Sequence, residues 1–336
     1  MFKRLCDPFR KIYPASNHAT YIRGIAALGV VLIHYNGLGI TSLFIEKSLN
    51  DIIATKLVNI GGQGPTVFFI ASGYVLYESF QRTPNFLRFM FLRYFRLMPL
   101  YLVVSFFASL NQMLVPDIFT IITKLLFLDI FSQKAYLFSP INIGFFVVIE
   151  FWLSLTLFLS VLIPKFKLKK FHNIYYLTLT SLSFICHYIA VQMFETGMIN
   201  RPYFDLFRFQ FWFILGSVLS AYKSKVTPNS LYNLVCVALV LFSFSTDNYL
   251  GYFVGFASVA FLLSESSAIV NYSLVFIGNI CYSIYLLHQP LLYFFTNSYY
   301  LIPILVLIIV ILVSSLTFRF IEVPFIKLSK SLIKRR

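Results

Sequence analysis

Apolar runs recur from residue 22 to residue 321, separated by short basic segments, and that alternation leaves the chain few places to fold except inside a membrane. A bilayer core of about 30 Å takes about 20 helical residues per crossing. Backbone polar groups in lipid must be satisfied within the segment, so each run reads as a helix. The runs lie near 22–41, 58–77, 97–114, 141–163, 174–194, 208–222, 230–246, 249–264, 272–295 and 301–321. The expected fold is an all-α polytopic membrane protein of about ten transmembrane helices, forming a single membrane domain over 1–336. With 59% hydrophobic and 12% charged residues, there is too little polar side chain to cover a water-facing surface. The further apolar segment 118–131 is short, is bracketed by Asp117 and Lys134, and holds Lys124 and Asp129. It is expected to be peripheral or re-entrant.

The formal charge is +15, but in so apolar a chain it reads as basic loops held at an anionic leaflet and not as a nucleic-acid surface. With ten crossings and a cytoplasmic N-terminus, 21 of the 27 Lys and Arg fall on the cytoplasmic side. That bias predicts that both termini are cytoplasmic. Counting 118–131 as a crossing would move the basic stretch KFKLKK at 165–170 to the wrong side. The basic, turn-rich N-terminus has no small-residue cleavage site after an early apolar stretch, so no removable signal peptide is expected. Cys6, Cys186, Cys236 and Cys281 show neither CxxC nor metal spacing, so no metal site or disulfide framework is expected.

Within this frame a few polar residues stand out. Arg23 and His34 are eleven positions apart in YIRGIAALGVVLIHY, with only apolar residues and glycine between them. Ionisable residues inside a span carry a large insertion cost and are functional candidates by default. Counted at 1.5 Å per residue, His34 lies about 18 Å into its span. Glu150 and His288 also fall in the outer half of theirs, so three titratable groups converge in depth. Imidazole is a natural partner for a buried carboxylate. Each has a structural alternative: an intramembrane His often only hydrogen-bonds a neighbouring helix, and Glu150 also reads as a pairing group.

Arg88, Arg93 and Arg96 stand at the entry to the third span, with 93 and 96 on one helical face. Guanidinium groups bind phosphate bidentately at such helix starts; Arg88 equally fits a topogenic role. Ala71, Ser72 and Gly73 remove bulk in mid-span, which suits close helix packing or a passage for a slender chain. Pro290 would disrupt the helix near His288, and Glu322 is expected to pair locally with Arg319.

The order of these segments resembles the acyltransferase 3 family of integral membrane acyltransferases. YIRGIAALGVVLIHY is similar to its first span, FFIASGYVLY at 68–77 to its second, and FLRFMFLRYFRLMPLY at 86–101 to the R-x-x-R-x-x-P-x-Y entry of its third. FFVVIEFWLSL at 145–155 is similar to the segment with its intramembrane Glu, IGNICYSIYLLHQPLL at 277–292 to its SYxxYLxH span, and RFIEVPFIKL at 319–328 to its closing E-x-P-F. Two positions depart: Phe145 stands where Trp is frequent, and Cys281 where Ser is usual.

The resemblance implies an acyl-CoA-dependent O-acyltransferase of the bacterial cytoplasmic (inner) membrane. Its expected work is O-acetylation of a sugar hydroxyl on a surface or exported polysaccharide, such as lipopolysaccharide O-antigen. The expected donor is acetyl-CoA, the acceptor a glycan or lipid-linked sugar, and the surroundings membrane lipids; no metal and no nucleic acid is expected. His34 would act as general base or accept the acyl group, with Glu150 orienting or charge-balancing the imidazole and His288 beside them. Arg23, Arg93 and Arg96, with Arg88, would grip the donor phosphates. The short stretch after Glu322 implies the stand-alone form, without an extracellular hydrolase-like domain. The alternative is a glycolipid or polysaccharide transporter or flippase without acyl-transfer activity, which would share the polytopic, basic character.

Overall fold

The computed structural model describes residues 17–37, 56, 59–83, 85–111, 117–128, 131, 144–165, 172–223, 229, 231–243, 250–264, 272–296 and 303–334. All of its regular elements are helices. They are α1 (Asn17–Gly37), α2 (Gly64–Arg82), α3 (Phe86–Asn111), α4 (Ile118–Leu125), α5 (Gly144–Lys165), α6 (His172–Glu195) and α7 (Arg201–Tyr222). They continue with α8 (Leu231–Ser243), α9 (Leu250–Leu263), α10 (Tyr272–Asn279), α11 (Cys281–Thr296), α12 (Pro303–Thr317), a π-helical turn (Phe318–Glu322) and α13 (Val323–Lys334).

A helix overlaps each predicted span, but the boundaries move for physical reasons. α3 begins at Phe86, eleven residues before the apolar run, because Asn85 caps it: the Asn85 side-chain oxygen accepts the Arg88 N–H at 3.1 Å. The three arginines therefore lie inside the helix. The span at 272–295 is two helices bent by 67° around Ile280. The last span does not stop at 321 but runs through the π turn, giving an apolar helix over Leu305–Ile333.

Among the described residues three helices are long and apolar enough to cross a membrane (Phe86–Phe107, Asn173–Glu195 and Leu305–Ile333), and the bent α10–α11 pair makes a fourth if it is one span. His18–His34, Phe146–Leu157, Leu231–Ser243 and Leu250–Leu263 are shorter apolar helices. α4 has eight residues, about 12 Å at 1.5 Å per residue and well short of a crossing. Large apolar side chains such as Leu177 and Leu182 on α6, Leu234 and Leu241 on α8, and Ile308 and Leu312 on α12 are exposed, while Arg23, Arg93, Glu150 and His288 are buried. That inverted distribution suits a lipid solvent.

The chain packs as two compact units, Met1–Glu78 with Leu215–Ile311, and Ser79–Ile214 with Leu312–Arg336. In the first unit α1 packs on α9, α10 and α11, and α8 packs on α9. Helices in lipid associate by close van der Waals contact, which small residues permit. A Cβ on Gly24 would lie 2.9 Å from the Gly278 backbone nitrogen, and one on Gly278 would overlap the Thr20 carbonyl. The SGY segment of α2 meets α7 the same way. A Cβ at Gly216 would collide with the Ile70 carbonyl, and Ser217 Oγ donates to the Gly73 carbonyl at 3.2 Å. The small residues of FFIASGY thus serve packing.

In the second unit α3 is the central helix, contacted by α4, α5, the π turn and α13. Tyr94 Oη donates to the Leu125 carbonyl at 3.0 Å, and Trp152 Nε1 donates to the Phe127 carbonyl at 2.7 Å, so α4 is tethered to both α3 and α5. Phe127, at φ 54°, stacks on Phe151 with ring centroids 4.6 Å apart.

Gly216→Ala should lower the thermal midpoint of the detergent-solubilised protein, with a destabilisation of about 1–3 kcal/mol for overpacking against backbone. Gly251→Ala meets only the movable end of the Gln63 side chain and should leave the midpoint nearly unchanged. Fluorescence-detected size-exclusion after a temperature series reads both; equal midpoints would mean the α2–α7 contact is not close-packed.

Candidate functional site

Two polar clusters are built inside the helical core, one in each unit. In the first unit, His34 is half-buried near the end of α1 and His288 is fully buried on α11. Their rings are 5.1 Å apart, with His34 Nδ1 and His288 Nε2 at 3.3 Å. The remaining contacts determine which nitrogens carry hydrogen. His34 Nδ1 lies 2.8 Å from the Val30 carbonyl and His288 Nδ1 lies 3.1 Å from the Ile284 carbonyl. A carbonyl only accepts, so each neutral ring carries its hydrogen on Nδ1. His288 Nε2 is then an acceptor, and His34 Nδ1–H donates to both Val30 O and His288 Nε2. The consequence is chemical: His34 Nε2 keeps its lone pair, and a positive charge gained by His34 would meet an acceptor nitrogen.

An aromatic series runs from this pair toward Arg23. Tyr285 lies one turn before His288, with ring centroids 6.0 Å apart; Phe68 of α2 stacks on Tyr285 at 5.9 Å; and the Arg23 guanidinium lies over Phe68 at 5.4 Å. Arg23 is 8% exposed and its Nε has no hydrogen-bond acceptor among the described residues. Phe68 and Tyr285 were not singled out in the sequence. Their signal was present, since both sit inside the motif segments FFIASGY and SIYLLH.

The second unit holds the other predicted residues. Arg93 of α3 and Glu150 of α5 form a buried ion pair at 2.5 Å. The charge partner of Glu150 is thus an arginine, where the sequence suggested an imidazole. Contact also puts Arg93 and Glu150 at one depth, whereas counting from span starts set Arg93 near the inner face and Glu150 in the outer half. Residue counting fails here because α3 begins so far ahead of its apolar run. Arg96 is half-buried one turn further along α3, and Arg88 is exposed at its start.

Glu322 is 1% exposed, while Arg319 is exposed with its guanidinium over Phe320 at 5.8 Å. The expected Arg319–Glu322 pair does not form, because the π turn widens the helix and takes i and i+3 off a shared face. Lys124 was passed over as part of a peripheral segment; it is buried, with its ammonium over the Tyr101 ring at 5.5 Å. Among the described residues no three His, Cys, Asp or Glu side chains gather as a metal site.

Paired imidazoles and buried guanidinium groups inside an all-helical apolar core define a polytopic membrane protein with a titratable centre. The family model described as an acyltransferase domain, that of the acyltransferase 3 family, matches residues 19–320, nearly the whole chain. The chain belongs to that family, and it is a multi-pass membrane acyltransferase. No curated protein and no solved structure gives a significant match.

The Arg93–Glu150 contact yields a stability prediction. Glu150→Ala strands a desolvated guanidinium and should destabilise the protein by about 3–5 kcal/mol, whereas the apolar double variant Arg93→Met/Glu150→Leu should recover most of that loss. Thermal midpoints of the single and double variants at matched lipid content read the coupling. Additive losses would mean that the two side chains do not depend on each other.

Proposed function

We propose that the protein is an acyl-CoA-dependent O-acyltransferase of the bacterial cytoplasmic membrane. Its work in this reading is O-acetylation of a sugar hydroxyl on a surface or exported glycan, such as O-antigen or an exopolysaccharide. One observation carries the reading: in a chain of an acyltransferase family, the His34–His288 contact leaves His34 Nε2 bare beside a buried partner that fixes its tautomer.

Acetyl-CoA is the donor in this scheme. Arg23 faces its phosphates and His34 its thioester. Eleven residues of α1 separate them, about 16.5 Å at 1.5 Å per residue, comparable with an extended pantetheine arm. Phe68 and Tyr285 line the interval. His34 Nε2 takes the proton of the acceptor hydroxyl, the oxygen attacks the thioester carbonyl, the C–S bond breaks, and the departing thiolate receives the proton from His34. The products are the acetyl ester and free coenzyme A. If Nε2 itself attacks the carbonyl, the acetyl group passes through the imidazole and the net exchange is the same. His288 is a positioning residue in either route, holding the proton of His34 on Nδ1. Arg93, neutralised by Glu150, fixes α3 against α5 within the second unit, and exposed Arg88 sets topology. The ten-crossing arrangement with both termini cytoplasmic puts the donor side inside and the acceptor side outside, as the basic-residue bias supports.

A transporter or flippase remains the rival, and the bent α10–α11 pair is the type of element such proteins use. Membranes that hydrolyse or transfer the acetyl group of acetyl-CoA only when they contain this protein decide for the enzyme.

His34→Ala should insert and accumulate normally yet lose acyl transfer by a factor of at least ~100, the scale for removing a positioned proton-transfer group. His34→Gln keeps volume and a hydrogen-bonding amide but cannot titrate, so it should be nearly as inactive. Glycan acetylation at matched protein level measures both. An active Gln variant would remove His34 from the chemistry and leave it an interhelical hydrogen-bonding group.

A further inference from the structure

The seam between α1 and the bend of α10–α11 holds two buried donors with no hydrogen-bond acceptor among the described residues. Arg23 precedes Gly24 and Asn279 follows Gly278, and those two glycines are the residues whose backbones touch. Asn279 is 7% exposed and its amide Nδ2 has no acceptor among the described residues; Arg23 Nε is in the same state. The only charge-directed contact of the guanidinium among the described residues is the face of Phe68. A buried cation and a buried N–H donor left without acceptors each cost free energy. Both costs vanish if an anion with several acceptor oxygens enters the seam. The chain treats its other deeply buried arginine, Arg93, differently, giving it Glu150.

We propose that Arg23 and Asn279 form an anion subsite at the α10–α11 bend that takes a phosphate group, with Asn279 donating a hydrogen bond to a phosphate oxygen. The proposal rests on the acyl-CoA reading for one source of that phosphate, the nucleotide end of the donor. The other source with the same chemistry is the headgroup of an anionic phospholipid. Arg23 supplies the charge and the planar fork. Asn279 adds direction, and it assigns the donor phosphates to the first unit and not to the arginines of α3. Gly278 serves the subsite through packing, because any side chain there would push the bend off α1.

The test compares wild type with Asn279→Asp, Asn279→Leu and Asn279→Lys, each purified in nanodiscs of phosphatidylcholine and checked for monodispersity. Acetyl-CoA affinity should fall at least about tenfold in Asn279→Asp, where a carboxylate faces the anion, and by a smaller factor in Asn279→Leu, which only loses the hydrogen bond. Asn279→Lys should bind as well as wild type or better, a recovery that a purely structural asparagine would not show. Thermal stabilisation by pyrophosphate should follow the same order. If acetyl-CoA affinity is equal in all four proteins but phosphatidylglycerol stabilises wild type and not Asn279→Asp, the subsite stands with lipid as its source. If wild type binds no acetyl-CoA, the acyl-CoA reading fails, and the pyrophosphate and phosphatidylglycerol arms still decide the subsite. Equal responses of wild type, Asn279→Asp and Asn279→Leu to all three probes would overturn it.

Discussion

The backbone contact between α1 and the α10–α11 bend, made possible by Gly24 and Gly278, is the constraint on which the first polar centre depends. It brings a helix with a cation near its start and an imidazole near its end against a helix that carries a second imidazole. In water such a contact would be one of many ways to bury area. In lipid, where apolar side chains gain nothing by leaving the solvent, close approach of small residues is what holds helices together. The His34–His288 geometry goes with that seam, since α11 continues from α10 across the bend and packs on α1 as well.

The two buried arginines differ in what surrounds them, and the difference assigns their roles. Arg93 has a carboxylate in contact that balances its charge. Such a pair is costly to break from one side and contributes little net stability as a unit, so it fixes arrangement more than it stabilises. Arg23 has an aromatic face, and among the described residues its Nε has no acceptor. A cation at depth with no anion among the described residues is an open valence for a ligand.

Much of this was legible in the sequence, and the failures have identifiable causes. The Arg23–His34 spacing, the family order of motifs and the presence of helices at the predicted spans could be read because apolar runs and ionisable residues within them are strong, local signals. Helix starts were not, because a cap such as Asn85 acts outside the apolar run and extends α3 eleven residues ahead of it. The partner of Glu150 was missed for the same reason, depth having been counted from the wrong end point. The Arg319–Glu322 pairing assumed ordinary helical spacing that the π turn removes. The burial of Lys124 and Asn279 depends on contacts from other parts of the chain, about which a single residue in a sequence says little.

The most direct measurement is a high-resolution structure of the protein with a non-hydrolysable acetyl-CoA analogue in a lipid nanodisc. The account predicts the carbonyl end of the analogue within hydrogen-bonding reach of His34 Nε2, with His288 still accepting from His34 Nδ1 and the phosphates beside Arg23 and Asn279. An analogue whose carbonyl lies against the Arg93–Glu150 pair, or whose phosphates leave Arg23 untouched, would contradict it.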